Sequence, residues 1–134
     1  MSTETIPNGS EQPAIIVDSS GWLEYVTDDV NAGKFAAYFE GKFDVLIPAI
    51  VVYEVYKRLL VTAGRSAAES FADEATRRTI LPLDGGLALR ASIASVDHRL
   101  SMADAIIYAT AVTHNVELVT GDEHFRGLPG VVIP

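Results

Sequence analysis

Short continuous apolar runs alternate along this chain with longer segments of helical period. Ala14–Val17 is apolar, rich in β-branched residues and closed by Asp18-Ser19-Ser20, which predicts a buried strand feeding a capped helix. A helix is predicted over Asn31–Gly41 and a strand over Asp44–Ile47, ending at Pro48, whose fixed φ suits a helix start. From Pro48 to Ala63 apolar residues occupy nearly every side, with Glu54, Lys57 and Arg58 as the only charges. That pattern predicts a largely buried helix, ended by Gly64. Arg65–Arg78 reads as an amphipathic helix, Thr79–Leu83 as a strand and Asp84–His98 as a helix whose start the Gly85-Gly86 pair should fray. Ser101–His114 carries Met102, Ala105, Ile106, Ala109 and Val112 on one helical face; Val116–Thr120 and Val131–Ile133 follow as strands. Trp22, Tyr25, Phe35, Tyr38 and Phe39 fall at helical spacing and are assigned to the core or a subunit interface.

Strands separated by helices predict an α/β fold, a three-layer α/β/α sandwich around a central parallel sheet of four to five strands. A chain of 134 residues suits one core. Residues 1–13 are polar and aperiodic, with Pro7, Gly9 and Pro13, and read as a flexible tail before a single domain over 14–134. The run Val45–Tyr53 is broken by Pro48 and ended by Glu54, well short of the roughly 18 residues of a spanning helix. No secretory signal pattern precedes it, so no membrane association is expected and the cytoplasm is the expected location. The chain has no cysteine, which excludes disulfides, thiolate metal sites and cysteine nucleophiles.

Eighteen acidic against ten basic side chains give a net charge of −8, which repels a polyanion unless the excess is gathered and neutralised locally. The placement of the acids suggests such a gathering. In a parallel sheet, ligands bind outside the carboxyl ends of the strands. Asp18 closes the first strand and Asp122 follows Val116–Thr120, so both are delivered to one edge. Asp104 lies one turn into the helix beginning near Ser101, and Glu54 lies about 9 Å along its helix at ~1.5 Å per residue; both side chains lean back toward their helix starts. Four carboxylates in contact would repel one another unless a divalent cation sat among them. With oxygen ligands only, Mg²⁺ or Mn²⁺ fits best, and a phosphodiester would complete the coordination. Such ions activate water for in-line attack at phosphorus and stabilise the departing oxygen.

Four segments carry a resemblance. They are Ile15-Ile16-Val17-Asp18-Ser19-Ser20, Glu54 within Val51-Val52-Tyr53-Glu54-Val55, the run Leu100-Ser101-Met102-Ala103-Asp104-Ala105, and Leu118-Val119-Thr120-Gly121-Asp122-Glu123-His124-Phe125. In this order they resemble the PIN-domain ribonucleases, particularly the VapC-like toxins of toxin–antitoxin pairs, over Ala14 to about Pro134. The resemblance implies a metal-dependent endoribonuclease cleaving RNA phosphodiester bonds and inhibited by a cognate VapB-like antitoxin whose chain runs over the acidic pocket. It implies Asp18 and Asp104 as principal metal ligands and catalytic residues, Glu54 and Asp122 completing the centre, and Thr120 and Ser19 in support.

Each residue also has a plainer reading. Asp18 is a natural helix cap, and Ser101-x-x-Asp104 matches a loose capping box. Glu54 sits at helical spacing to Lys57 and Arg58, and Asp122 suits a turn. Convergence of four acids at one edge favours the site over these. Arg58, Arg65 and Arg126 are the candidates to meet substrate phosphate, against ordinary surface solvation. Asp28, Asp29, Asp73, Glu74, Asp84 and Asp97 read as solvated faces or caps. His98, His114 and His124 lack metal-ligand spacing and read as surface or turn residues, His124 being the one near enough to Asp122 to touch substrate.

A receiver-type phosphoryl switch wants an early acidic pair and a late lysine, and no lysine follows Lys57. An aspartyl phosphatase wants a second acid two residues after the first, where Ser20 stands. The alternative from another class is a catalytically idle acidic pocket that binds an Arg-rich partner peptide. An antitoxin is expected to present basic side chains around Asp18 and Asp104, and the high apolar content makes a homodimer plausible.

Overall fold

The computed structural model describes residues 12–134. Five strands, β1 (Ala14–Val17), β2 (Asp44–Pro48), β3 (Ile80–Leu81), β4 (Glu117–Val119) and β5 (Val131–Val132), form one sheet in the order β3-β2-β1-β4-β5, and every pairing is parallel. Six helices flank it: α1 (Ser19–Val26), α2 (Ala32–Phe39), α3 (Ala49–Thr62), α4 (Arg65–Thr76), α5 (Gly85–His98) and α6 (Met102–Thr113). The expected tail lies outside the described residues as far as Glu11, while the Pro13 carbonyl accepts from the Asp44 amide at 2.9 Å. Among the described residues no helix is long and apolar enough to cross a membrane.

β1 is the central strand, hydrogen-bonded to β2 on one side and β4 on the other, with Ile16 opposite Leu46 and Leu118. Covered on both faces, Ile15, Ile16 and Val17 are buried, which is why this strand reads as a continuous apolar run rather than an alternating one. The chain turns to β2 on one side of β1 and reaches β4 on the other. The strand order therefore reverses between β1 and β4, and a crevice opens at their carboxyl ends. Gly21 lets α1 lie close against this point: a Cβ there would stand 2.5 Å from Val17 Cγ1 and 2.9 Å from Phe35 Cε1. The aromatic series is core, as expected: Trp22, Phe35 and Phe39 are buried, and Tyr25 stacks on Phe39 with centroids 4.4 Å apart.

Three expectations need correction. β3 shrinks from five residues to two, because only Ile47 and Pro48 of β2 pair with it and Pro82 has no N–H to extend the ladder. The Gly85-Gly86 pair does not fray α5, because the Asp84 side chain accepts from the Leu87 amide at 2.8 Å and caps the helix. α3 is not largely buried. It packs through one stripe of Val51, Val55 and Leu59, while Tyr53, Leu60 and Val61 face outward at 58%, 38% and 77% exposure.

Candidate active site

Asp18 stands at the end of β1 and is the N-cap of α1: its Oδ1 accepts from the Gly21 amide at 3.0 Å and from Ser20 Oγ at 2.8 Å. Its Oδ2 accepts from Thr120 Oγ1 at 2.6 Å. Thr120, fully buried at the end of β4, accepts in turn from the Asp122 amide at 2.9 Å, and Ser20 Oγ accepts from the Gly121 amide at 3.3 Å. The ends of β1 and β4 are thus stitched together around one carboxylate. Cap and site are the same residue, so the plain reading of Asp18 holds without displacing the functional one. Asp18 is 3% exposed, and burial pushes its carboxyl from the ordinary 3.8 up to about 6. The donors Thr120, Gly21 and Ser20 pull the other way, and the charge of Asp122 adds to the rise.

Asp104 occupies the first turn of α6, whose N-cap Ser101 accepts the Asp104 amide at 3.3 Å. Its carboxyl is raised, first by burial and then by the charge of Asp122; Glu54 adds to this, whereas Ser101 and His124 oppose it. Glu54, partly exposed on α3, accepts from Ser19 Oγ at 2.5 Å, so Ser19 orients Glu54 while its neighbours bind Asp18. Asp122 caps the 3-10 turn Glu123–Phe125: its Oδ1 accepts from the His124 amide at 2.9 Å and lies 3.0 Å from His124 Nδ1.

Asp18, Glu54, Asp104 and Asp122 line one cleft of about 480 Å³ between α1, α3 and α6. Arg58, one turn beyond Glu54 on α3, is the one Lys or Arg among its lining residues. Glu24 and Asp29 also line it. Glu24 went unremarked in the sequence, although it follows Ser20 by one helical turn and so shares its face, and Asp29 was read there as a solvated face or cap. Asp29 lies in the turn after α1, where spacing carries no orientation. Arg65 does not line the cleft: it opens α4, beyond the far end of α3, and its guanidinium lies 4.0 Å from Glu69. Arg126 is bound bidentately by Glu123, at 2.5 and 2.8 Å, and faces a neighbouring cavity with Lys34 and the last residues of the chain. Of the three arginines, only Arg58 faces the acids.

This donor set suits a hard divalent cation. Four carboxylates offer oxygen ligands in one cleft, the charge of Asp122 raises the carboxyls of both Asp18 and Asp104, and a single guanidinium lines the cleft with them. Asp18 Oδ1 accepts two donors and Oδ2 one, which fixes their orientation and leaves a lone pair on Oδ2 free to ligate. Asp104, Asp122 and His124 each offer a ligand atom within 4.8 Å of the others.

An α/β fold with four carboxylates in one crevice where the strand order reverses has the oxygen donors that a divalent cation would use. A profile of the PIN domain family matches residues 15–131, and the chain belongs to that family. Its fold is that of a toxin–antitoxin complex from Klebsiella pneumoniae (TM-score 0.77, 24% identity, covering 90% of this chain and 97% of that one). It is also that of the sarcin-ricin loop cleaving toxin VapC20 of Mycobacterium tuberculosis (0.76, 23%, 90% and 99%). A third similar structure is FitAcB of Neisseria gonorrhoeae (0.67, 20%, 90% and 97%). No protein of curated function matches the chain.

Proposed function

We propose that this chain is a Mg²⁺- or Mn²⁺-dependent endoribonuclease, the toxin of a toxin–antitoxin pair, acting in the cytoplasm through Asp18, Glu54, Asp104 and Asp122. The observation that carries the reading is the convergence of these four carboxylates at the β1–β4 crevice, with Asp18 buried and fixed by Thr120, Ser20 and Gly21. Family membership and the fold shared with toxins of such pairs support it.

Each residue has a part. Asp18, Asp104, Asp122 and Glu54 would hold the cation. Once bound, it supplies the charge compensation and water activation that the phosphodiester needs. Thr120 and Ser20 keep both Asp18 oxygens directed, and Ser19 does the same for Glu54. Arg58 meets a phosphate oxygen of the strand as it enters, the one guanidinium positioned to do so. Leu23 and Ile107 give the cleft apolar walls that thin the water around the scissile phosphate. Glu24 and Asp29 extend the acidic lining outward along α1, which suits the basic side chains of an antitoxin segment.

The test is incubation of purified protein with total RNA in Mg²⁺, in Mn²⁺ and in chelator, with mapping of the cut ends. Metal-dependent cutting that Asp104→Asn abolishes, with the melting curve retained, is expected. A protein that binds a basic peptide in this cleft yet never cuts RNA would instead be the idle binding module.

A further inference from the structure

We infer that His124 is a metal ligand: with Asp104 and Asp122 it forms a cation position at the outer edge of the acidic centre, and its imidazole makes the site favour Mn²⁺ over Mg²⁺. The inference rests on the nuclease reading above and extends it to a residue type that the four-carboxylate set lacks.

The geometry begins with the turn after β4. Asp122 caps a 3-10 turn of three residues, and that turn folds His124 back on the carboxylate that caps it. Asp122 Oδ1 receives the His124 amide at 2.9 Å and faces Nδ1 at 3.0 Å. Two ligand atoms 3.0 Å apart are spaced as neighbours in one coordination shell, so the imidazole with its proton on Nε2 offers the Nδ1 lone pair to the same ion that Asp122 would hold. Asp122 Oδ2 has no hydrogen-bond partner among the described residues, so it is available to the same ion. Asp104 arrives from another element, the first turn of α6. Among the described residues, this is the group of three or more His and acidic side chains whose ligand atoms all lie within 4.8 Å of one another; Asp18 and Glu54 are not in it.

The opposing explanation is a surface pair, since the His124 side chain is 82% exposed. A pair alone does not require the third member. Two carboxylates from separate elements and one imidazole share a small volume at the mouth of a cleft already crowded with negative charge, where another cation is welcome. Exposure also means that the ion and its remaining waters can enter without rearrangement.

Chemistry then sets the preference. Mg²⁺ takes oxygen ligands and keeps its waters, whereas imidazole suits first-row transition ions. Removing the imidazole should weaken Mn²⁺ binding by roughly tenfold or more and leave Mg²⁺ nearly untouched.

The experiment is pulsed electron paramagnetic resonance on the full chain loaded with Mn²⁺, as wild type, His124→Gln, His98→Gln and Asp104→Asn, with Mn²⁺ and Mg²⁺ affinities by calorimetry. Expected are ¹⁴N modulation from a coordinated imidazole in wild type and His98→Gln, its loss in His124→Gln, and a drop of about tenfold in Mn²⁺ affinity with Mg²⁺ changed less than twofold. Mn²⁺ bound without ¹⁴N modulation in a protein that still cuts RNA overturns the role of His124 and leaves the nuclease reading standing. No Mn²⁺ binding, or binding indifferent to Asp104→Asn, overturns both.

Discussion

Replacing Asp18 by Asn should stabilise the metal-free protein, and by an amount that depends on pH in a specified way. The folded carboxyl, pushed from 3.8 to about 6 chiefly by burial, holds a proton that the unfolded chain has already released. Its contribution to stability is therefore full below about pH 4 and is lost as pH rises through about 6. At ~1.4 kcal/mol per tenfold change in proton affinity, the loss is about 3 kcal/mol by pH 7. Asn carries no charge to bury. It keeps an oxygen for the Ser20 and Gly21 donors but turns an amide toward Thr120 Oγ1, which costs about 1 kcal/mol. The variant should thus exceed wild type by about 2 kcal/mol at pH 7, roughly 8 °C in Tm for a chain of this size. Below pH 4, where the carboxyl is protonated in both states, the order should reverse, with the variant about 1 kcal/mol the less stable. Thermal melts of both proteins in chelator, from pH 4 to 7.5, test this, because the difference between the two curves cancels the other titrating groups. Parallel curves across that window, or a variant less stable at pH 7, would refute the claim that Asp18 is a buried charge awaiting a counter-ion. Added Mn²⁺ should narrow or invert the gap, because the wild type gains ~2.7 kcal/mol at a hundredfold excess over Kd while the variant, left with the remaining ligands, gains less.

Thr120→Val keeps the shape of a fully buried side chain but removes the donor to Asp18 and the acceptor of the Asp122 amide; denaturant melts should show a loss of about 1–3 kcal/mol, and calorimetry roughly 10–100-fold weaker metal binding. Gly21→Ala drives a methyl into Val17 and Phe35, so a loss of about 1–3 kcal/mol is expected, together with slower RNA cleavage because α1 and its cap Asp18 must shift. Arg58→Gln should leave Tm and metal affinity unchanged, raise KM for RNA, and lower the salt dependence of RNA binding by about one phosphate contact.

The parts of the fold that reading the sequence foresaw are those where one physical effect dominates. Ile15-Ile16-Val17 could only be a strand covered on both faces, and Asp18 beyond it could only fall at the sheet's carboxyl edge. Where two effects compete, the reading failed. The glycines before Leu87 argued for a frayed helix start, and the Asp84 cap outweighed them. The apolar composition of α3 suggested burial all round, yet composition cannot say how many neighbours a helix will have, and Tyr53 and Val61 face outward. Among site residues, the acids announced themselves through chain position relative to strands. Arg65 and Arg126 did not, because where a long side chain ends depends on its local carboxylate, Glu69 or Glu123, and neither lies in the cleft. His124 was legible only as a neighbour of Asp122 that could touch substrate; its contact with that carboxylate comes from a 3-10 turn, a closure that no helical or strand period describes.

The clasp of Thr120 on Asp18 joins residues 102 positions apart, across a strand boundary that forms only when β4 slides in beside β1. During translation, at ~5–20 residues per second, Asp18 emerges many seconds before Asp122 does. A ribosome making this chain therefore carries an unarmed intermediate: one acid at the exposed margin of a half-built sheet, its partners still unsynthesised. On the proposed reading the acidic centre is complete only once Asp122 has been made and β4 has docked beside β1.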